Sequence, residues 1–255
     1  MTRLQNWVPA AVLFIGGLGV WEGIVRAFSI KGFILPAPSA IALAFTEEWS
    51  ALRVAGFSTF ATAIAGLAVG ATLAVLAALA AARWTPVREG AMPLAIAANS
   101  TPIIVLAPIA NSWFGLRSAW GTVLVVAVLV FFPIMINLVK GLLSAETSQL
   151  ELLDSYAATD RSVLWKLRLP GALPYLFSAL KVAAALSLIG AIVKEYFGGS
   201  QERLGQYITS KAGLFQFEEA WAAIVLASAF GILVYLTISI IERMAIPWHV
   251  SIRNV

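Results

Sequence analysis

The chain contains no cysteine and only one histidine. Without cysteine, a disulfide framework and a thiolate metal site are both excluded. The histidine, His249, lies in the polar C-terminal tail, where a lone histidine is most often simply solvated. The phosphate-loop pattern GxxxxGK followed by Ser or Thr is also missing, so the chain has no such loop for nucleotide hydrolysis.

A shortage of charge decides the class of protein. Charged residues make up 12% of the 255 residues and hydrophobic residues 60%, with a mean hydropathy of +0.89. A soluble domain carries about twice this charged fraction, and it needs a polar shell to cover its core. The composition therefore predicts one all-α, polytopic membrane domain over residues 1–255, with the bilayer as the solvent for most of it.

The hydrophobic residues form stretches of roughly the 20 residues that a transmembrane helix needs. We predict six spans, at residues 8–28, 57–82, 91–112, 119–139, 173–196 and 220–241. The first stretch is longer than a signal-peptide core and carries Glu22 and Arg26, which are spaced to form an ion pair on one helix face. The second has Gly66 and Gly70 at a spacing that lets it pack closely against a partner helix.

The basic residues are scattered between these spans. The net charge is +4 and the pI about 9.6, but the dispersal is typical of the cytoplasmic enrichment of Lys and Arg and not of a nucleic-acid patch. If the N-terminus is inside, nine basic residues lie in inner segments and five or six in outer segments. We therefore expect both termini in the cytoplasm.

Two outer segments have patterns of their own. The prolines of residues 34–39 predict a turn, with Ser39 as the N-cap of a following helix. Apolar residues at helical spacing then predict an amphipathic helix in the outer interface. These apolar residues are Ile41, Phe45, Trp49 and Leu52. Residues 197–219, with paired glycines and several charges, predict a loop or a short re-entrant piece.

The inner connection at residues 140–172 is long and helical in pattern. One short helix begins at Glu151, and a second carries an apolar stripe that includes Leu164 and Leu167. We expect Leu169-Pro170 to end this second helix before the next span begins. By periodicity alone, a surface helix pair that merely joins two spans explains the pattern equally well.

Within this connection, Glu151-Leu152-Leu153, Ala157, Leu167 and Leu169-Pro170 stand at fixed spacings. The pattern resembles the cytoplasmic signature loop of bacterial ABC-importer permeases, which is EAA, three residues, G, nine residues, I, one residue, LP. The first Glu and the closing Leu-Pro match in identity. Ala157 replaces the glycine of the pattern, so we expect a less sharp turn between the two short helices.

The flanking sequences are similar to the nitrate, sulfonate and taurine branch of these permeases. The likeness rests on residues 35–39, 101–102, 106–108, 113–115, 173–175 and 195–198, and it runs from about Leu35 to Glu242. Residues 166–177 are most similar to relatives that act with pyrimidine-precursor or riboflavin-type binding proteins.

The resemblance implies a type I importer fold with six spans in the bacterial inner membrane. In that family the signature loop forms coupling helices that dock on a separate ATP-binding subunit, so ATP and Mg²⁺ belong to that partner and this chain is a non-enzymatic transport subunit with no cofactor of its own. The expected partners are two ATP-binding subunits, a second permease of the same or a homologous kind, a periplasmic or lipid-anchored substrate-binding protein, and membrane lipid. The expected coupling residues are Glu151, Leu152, Leu153, Tyr156, Ala157, Leu164, Leu167 and, as a structural stop, Pro170.

Polar residues inside the spans are candidates for the translocation pathway. Prolines beside polar residues interrupt the third span twice, and membranes tolerate broken helices that are buried in protein or line a cavity. An ordinary proline kink explains the same pattern. Lys181 lies in the fifth span. Its side chain is expected either to face a cavity or a partner, or to snorkel to the interface. The candidates are Asn99, Ser100, Thr101, Asn111, Lys181, Ser187 and Glu195. Lys194-Glu195, at the outer mouth, would contact the binding protein, gate the exit or anchor the span at the interface.

A self-contained secondary transporter or channel is the alternative function. It predicts inverted repeats and ionisable residues at mid-membrane, whereas the two halves show no convincing repeat and only Lys181 is deep. A membrane enzyme would need a cluster of acid, histidine or Ser/Lys residues, which is not evident in the sequence. The substrate stays open among pyrimidine precursors, riboflavin, nitrate, sulfonates and taurine, because selectivity in this family resides largely in the binding protein.

Overall fold

The computed structural model describes residues 3–100 and 102–248, with the side chains of residues 8–100, 102 and 104–248. Thr101 and His249 lie outside the described residues. Within these ranges the chain is all-helical and has no strand. The helices are α1 (Arg3–Ala27), α2 (Pro38–Glu47), α3 (Trp49–Arg83), α4 (Thr85–Asn99), α5 (Ile103–Phe114), α6 (Ala119–Leu142), α7 (Thr147–Ser155), α8 (Asp160–Val163), α9 (Leu169–Tyr196), α10 (Leu204–Gly213) and α11 (Phe217–Ala245).

Among the described residues, five helical segments are long and apolar enough to cross a membrane, or six if the bent pair α4 and α5 counts as one span. The axes of α4 and α5 differ by 99°, so the interruption predicted after Asn99 is confirmed. The second interruption, predicted at Pro108 and Asn111, is wrong because α5 runs through both residues. A proline removes one backbone hydrogen bond from a membrane helix, and neighbouring helices can compensate for this loss. The neighbours of α5 are α6 and α9.

The main core lies where α3, α6 and α9 pack side by side. The partner helix of the Gly66 and Gly70 pair is α6. A Cβ added at Gly66 would lie 2.5 Å from the Val126 side chain, and one added at Gly70 would lie 2.5 Å from the carbonyl oxygen of Ala127. The two glycines therefore allow the helix backbones to approach more closely than any larger residue would.

The predicted ion pair of the first span is confirmed, since Arg26 Nε lies 2.6 Å from Glu22 Oε1. Ser39 does not act as an N-cap. The helix α2 begins one residue earlier, at Pro38, with Ala37 at the cap position, because proline is already shaped for the first helical position. Ser39 instead donates hydrogen bonds from its backbone nitrogen and its hydroxyl to Glu22, which ties α1 to α2.

The predicted amphipathic helix is divided at Glu48. Trp49 and Leu52 belong to α3, which is 35 residues long and begins well before the predicted start of the second span at residue 57. Ile41 of α2 is buried in a second apolar cluster shared with α3, α10 and α11. The apolar face of α2 is therefore covered by protein and does not lie free in the interface.

Residues 197–219 contain the helix α10 between two turns, and not merely a loop. The side chains of Leu204 and Tyr207 are buried in the second cluster. The Tyr207 hydroxyl donates to Glu48 across 3.2 Å. Burial raises the pKa of Tyr207 above its ordinary value, and the carboxylate of Glu48 raises it further.

Candidate functional site

The loop at residues 140–172, hereafter the coupling loop, begins with an exposed helix that is stabilised by its own cap. None of the residues of α7 is buried, so packing cannot hold it. Glu146 and Gln149 form a reciprocal capping box, in which the Glu146 backbone nitrogen donates to Gln149 Oε1 across 3.2 Å. This pair satisfies backbone donors that the helix start leaves free.

The turn after α7 is tight because Ala157 adopts a left-handed conformation, with φ of 52°. Its backbone nitrogen donates to the Asp154 carbonyl at 2.8 Å, and the nitrogen of Ala158 donates to the Leu153 carbonyl at 3.0 Å. This pair of bonds is the Schellman motif, whose left-handed position is normally glycine. The expectation of a less sharp turn is therefore wrong, because alanine has taken the conformation of glycine.

We expected the second short helix to end at Leu169-Pro170, but it continues through these residues. Thr159 Oγ1 accepts from the Ser162 nitrogen at 3.3 Å and begins α8. A π-helical turn, Leu164–Arg168, then joins α8 to α9, so that Asp160–Tyr196 is one helical run. The Leu169 nitrogen bonds to the Leu164 carbonyl five residues back. Pro170 has no N–H to offer, and the wider turn accommodates that loss.

The coupling loop has an inner face and an outer face. Leu164 is half-buried against the main core, and Leu153, Leu167 and Pro170 are half-buried as well. By contrast, Leu152 is 57% exposed and Tyr156 is 77% exposed. Glu151 and Ala157 are also exposed. The loop therefore exposes apolar side chains at Leu152 and Tyr156, while Leu164 packs against the membrane domain.

Sequence reasoning missed Trp165, which is 63% exposed beside these residues. The apolar stripe that includes Leu164 and Leu167 was expected to face the partner, but both leucines are half-buried and Leu164 packs against the main core. Trp165 lies one residue out of phase with that stripe and so points away from the core. The position of this tryptophan outside the apolar stripe could have predicted from the sequence that it is exposed.

The structure does not gather the predicted pathway residues into one site. Asn99 and Ser100 are exposed at the break between α4 and α5, and the Ser100 hydroxyl contacts the Ile96 carbonyl at 3.3 Å. Asn111 is buried near the C-terminal end of α9, where its Nδ2 donates to the Phe197 carbonyl at 3.2 Å. Its Oδ1 has no partner among the described atoms.

Two candidates of the fifth span are bonded to protein groups. Lys181 forms an ion pair with Glu242 of α11, and both side chains are largely buried. Sequence reasoning missed Glu242, although matching the charges on neighbouring spans by depth could have found it. The hydroxyl of Ser187 is buried and donates to the Ala184 carbonyl of its own helix at 2.8 Å.

Glu195 lies at the centre of a buried polar cluster and is 1% exposed. Its Oε2 accepts from the Thr59 hydroxyl at 2.8 Å and from the Gly205 nitrogen at 3.2 Å. Its Oε1 lies 3.3 Å from the Arg203 guanidinium. The carboxylate thus fastens α9 to α3 and to the start of α10, and sequence reasoning missed both Thr59 and Arg203.

Lys194 is also 1% exposed, and its ammonium donates to the carbonyls of Leu116 and Ser118 at 3.0 and 3.3 Å. We call the bonded polar cluster of Thr59, Glu195 and Arg203 the outer lock. Neither Lys194 nor Glu195 reaches the surface, so their interpretation as an interfacial anchor or as a direct contact for an external protein is wrong. The interpretation as an exit gate stays a prediction.

Residues 70–247 match the family described as binding-protein-dependent transport system inner membrane component. The formylaminopyrimidine transport permease protein ThiX of Halalkalibacterium halodurans is 31% identical over 250 residues, which cover 98% of this chain and 99% of that one. The riboflavin transport system permease protein RibX of Chloroflexus aurantiacus is 30% identical over a match that covers 96% of this chain and 90% of that one. The taurine transport system permease protein TauC of Escherichia coli is 23% identical over a match that covers 92% of this chain and 88% of that one.

Among solved structures, an amino acid ABC transporter crystallised with histidines shares the fold with a TM-score of 0.62. Its identity is 15%, and the match covers 80% of this chain and 97% of that one. The relatives are transport subunits and not enzymes. In the described part of the chain, no group of three acidic or histidine side chains could hold a metal ion. The chain therefore belongs to the binding-protein-dependent transport system inner membrane components, the multi-pass permease subunits of ABC importers for small solutes, which act with ATP-binding and substrate-binding partners.

Proposed function

We propose that this chain is one of two permease subunits in an inner-membrane importer, driven by two ATP-binding subunits that dock on the coupling loop. One observation carries the proposal, which is the exposed apolar surface of Leu152, Tyr156 and Trp165 on an otherwise self-capped loop. An exposed apolar patch on a rigid element is typical of a protein interface. ATP and its Mg²⁺ would be held by the partner, whose closure moves the loop.

The helical run Asp160–Tyr196 would carry that movement through the membrane. It contains 37 residues, which corresponds to about 55 Å of helix at 1.5 Å per residue. One end joins the coupling loop and the other carries Glu195 of the outer lock. A displacement of the docked loop would therefore be passed along one continuous helical run to the outer lock, in keeping with rigid-body switching between inward-facing and outward-facing states.

The structure suggests separate tasks for the coupling residues. We assign partner contact to Glu151, Leu152, Tyr156 and Trp165, which are exposed. Ala157 sets the turn between the helices. We assign force transmission to Leu164, which packs against the membrane core, and to the half-buried Leu153, Leu167 and Pro170.

A pair of tyrosine variants tests the docking. Tyr156→Ala removes an exposed aromatic from the coupling loop, whereas Tyr196→Ala removes one that is 54% exposed at the other end of α9. If Tyr156 is an interface anchor, its loss weakens association with the ATP-binding subunit by about 30-fold or more and uncouples ATP hydrolysis from uptake. Equal affinity and uptake in the two variants would rule out the assignment.

We place the coupling loop and both termini in the cytoplasm. The basic residues favour this orientation, and docking on an ATP-binding subunit requires it. The absence of cysteine makes a direct test possible. In intact cells, a membrane-impermeant maleimide should label Gln201→Cys and spare Ser155→Cys, both of which are exposed positions. The reverse labelling would invert the topology.

A second permease, of the same or a homologous kind, would complete the pathway. Most of α1 is exposed, with only 6% of its most apolar window buried. A Cβ added at Gly16, Gly19 or Gly23 would meet no described atom within 4 Å, so this helix has a small-residue face open to another helix. The mass of the purified complex tests the stoichiometry. A complex with one permease would contradict the proposal.

For the substrate, we propose a planar nitrogen heterocycle of the formylaminopyrimidine or flavin type. The two relatives named for such solutes are 31% and 30% identical, against 23% for the taurine permease. The cations inside the described spans are also engaged, since Lys181 pairs with Glu242 and Lys194 is bonded to carbonyls. Calorimetry on the cognate substrate-binding protein, which we expect to be periplasmic or lipid-anchored, should show pyrimidine binding. Tighter binding of taurine or nitrate would overturn this assignment.

A further inference from the structure

A cleft of about 500 Å³ lies between the coupling loop and the inner ends of α3, α4 and α6. Of the described residues that line it, four are arginines and Asp160 alone is acidic. The four are Arg83, Arg88, Arg161 and Arg168. Two come from the ends of α3 and α4 and two from the coupling loop, so the cleft brings together positive charge from separate parts of the chain.

The positive charge of the cleft is poorly compensated. Asp160 lies 3.7 Å from Arg83, but both side chains are largely exposed, so this ion pair is weak. Among the described residues, Arg88, Arg161 and Arg168 have no carboxylate within ion-pair distance. Guanidinium groups held together around one cleft repel each other unless an anion lies between them.

Apolar residues and an exposed tryptophan lie beside the arginines, as expected of a site for a lipid headgroup. Leu79 and Ala82 of α3 and Leu143 line it alongside the arginines. Trp84, which is 57% exposed, and Val87 are the sequence neighbours of the lining residues Arg83 and Arg88. Tryptophan is enriched where a membrane protein meets the headgroup layer. A ligand with a phosphate and an acyl chain would match both the charge and the apolar wall.

We propose that this cleft binds the phosphate of an anionic phospholipid from the cytoplasmic leaflet. Arginine is the side chain best shaped for bidentate contact with phosphate oxygens, and basic pockets between span ends at this membrane face bind such headgroups. Thr85 at the start of α4 also lines the cleft, where the helix dipole favours an anion. The leaflet rests on the proposed orientation of the chain.

Such a lipid would bridge the coupling loop to the membrane domain. Arg161 and Arg168 lie on the loop side of the phosphate, and Arg83 and Arg88 lie on the side of the spans. The bound anion would hold the start of the helical run Asp160–Tyr196 against α3 and α4. The lipid composition of the membrane would then set how firmly the loop is held when the ATP-binding subunit moves it.

Native mass spectrometry of the assembled transporter tests the site with phosphatidylglycerol and phosphatidylcholine as probes. We expect phosphatidylglycerol to be retained in preference to phosphatidylcholine. Each arginine near an anionic headgroup contributes about fivefold in affinity, so Arg88→Gln with Arg168→Gln should weaken retention about 30-fold. The control, Arg53→Gln with Arg117→Gln, removes the same charge at two exposed positions outside the cleft and should retain the lipid. Arg88→Lys with Arg168→Lys should retain more lipid than the glutamine pair but less than the unaltered protein, because lysine keeps the charge and loses the bidentate contact.

Several outcomes would overturn the lipid assignment. Equal loss of phosphatidylglycerol in the cleft and control variants would show only general attraction to charge. Displacement of the lipid by millimolar inorganic phosphate would make free phosphate the ligand. Retention by the permease alone, but not with the ATP-binding subunit attached, would make the cleft part of the docking surface. In a nanodisc with phosphatidylglycerol in both leaflets, retention does not depend on topology, so inverted maleimide labelling would refute the orientation alone.

Discussion

The left-handed alanine of the coupling loop makes a quantitative prediction. Ala157 has φ of 52° at the position where a Schellman motif normally has glycine. Its Cβ is crowded in this conformation, whereas a glycine would not be. We therefore expect Ala157→Gly to stabilise the turn of the coupling loop, although glycine usually makes a chain more flexible.

The size of the effect follows from two opposing terms. A non-glycine residue in the left-handed region costs roughly 1–2 kcal/mol, which the substitution removes. Glycine costs about 0.5–1 kcal/mol more conformational entropy on folding. The net gain of about 0.5–1 kcal/mol corresponds to an opening equilibrium that is about two to five times less favourable. The bonds affected are those from the nitrogens of Ala157 and Ala158 to Asp154 and Leu153.

Amide hydrogen exchange at residues 157 and 158 measures this opening. In Ala157→Gly, both amides should exchange about two to five times more slowly, after correction for the intrinsic rate of glycine. The matched control is Ala158→Gly at the next position, which is not left-handed; there only the entropy term remains, so exchange should become faster. Faster exchange in both variants would refute the reasoning, because it would show that flexibility outweighs the relief of the left-handed alanine.

Three further predictions concern the rest of the molecule. Lys181→Met should destabilise the protein by about 3 kcal/mol because it leaves Glu242 unpaired, while adding Glu242→Leu should restore most of the loss in a thermal unfolding assay; no recovery in the double variant would contradict the pairing. Gly66→Ala should cost about 1–3 kcal/mol, because its Cβ would lie 2.5 Å from a side chain of α6, whereas Gly90→Ala has no atom within 4 Å and should be neutral or stabilising. The raised pKa of Tyr207 means that the folded protein keeps a proton that the unfolded chain loses at about pH 10. Stability should therefore fall as the pH rises above about 10, and Tyr207→Phe should show a smaller fall; an unchanged pH profile would argue against it.

The spans were predictable because the bilayer imposes length and composition on them. The break after Asn99 was also visible, as polar residues before a proline. What the pattern did not show was helix continuity. Pro170 was expected to end a helix, but a π-helical turn absorbs its missing hydrogen bond, and the division at Glu48 has no hydrophobic signature. Backbone adjustments of this kind depend on packing that a hydropathy pattern does not contain.

The candidate site was only partly predictable for a similar reason. The spacing from Glu151 to Pro170 located the coupling loop, but it did not tell which apolar side chains pack inward. Trp165 was missed because exposure is decided by how the loop lies on the core. The partners of Glu195 were missed because Thr59 lies 136 residues away in the sequence and Arg203 lies beyond the turn that follows α9. Tertiary pairing of polar groups leaves no local spacing signal.

Site-specific cross-linking is the most direct test of the claim that the coupling loop docks on the ATP-binding subunit. Because the chain has no cysteine, a thiol-reactive benzophenone attached to Tyr156→Cys reports from one position only. It should cross-link the ATP-binding subunit in the assembled transporter, while the same probe on Tyr196→Cys should not. A cross-link from position 196, or none from position 156 in a transporter that still imports its solute, would contradict the account.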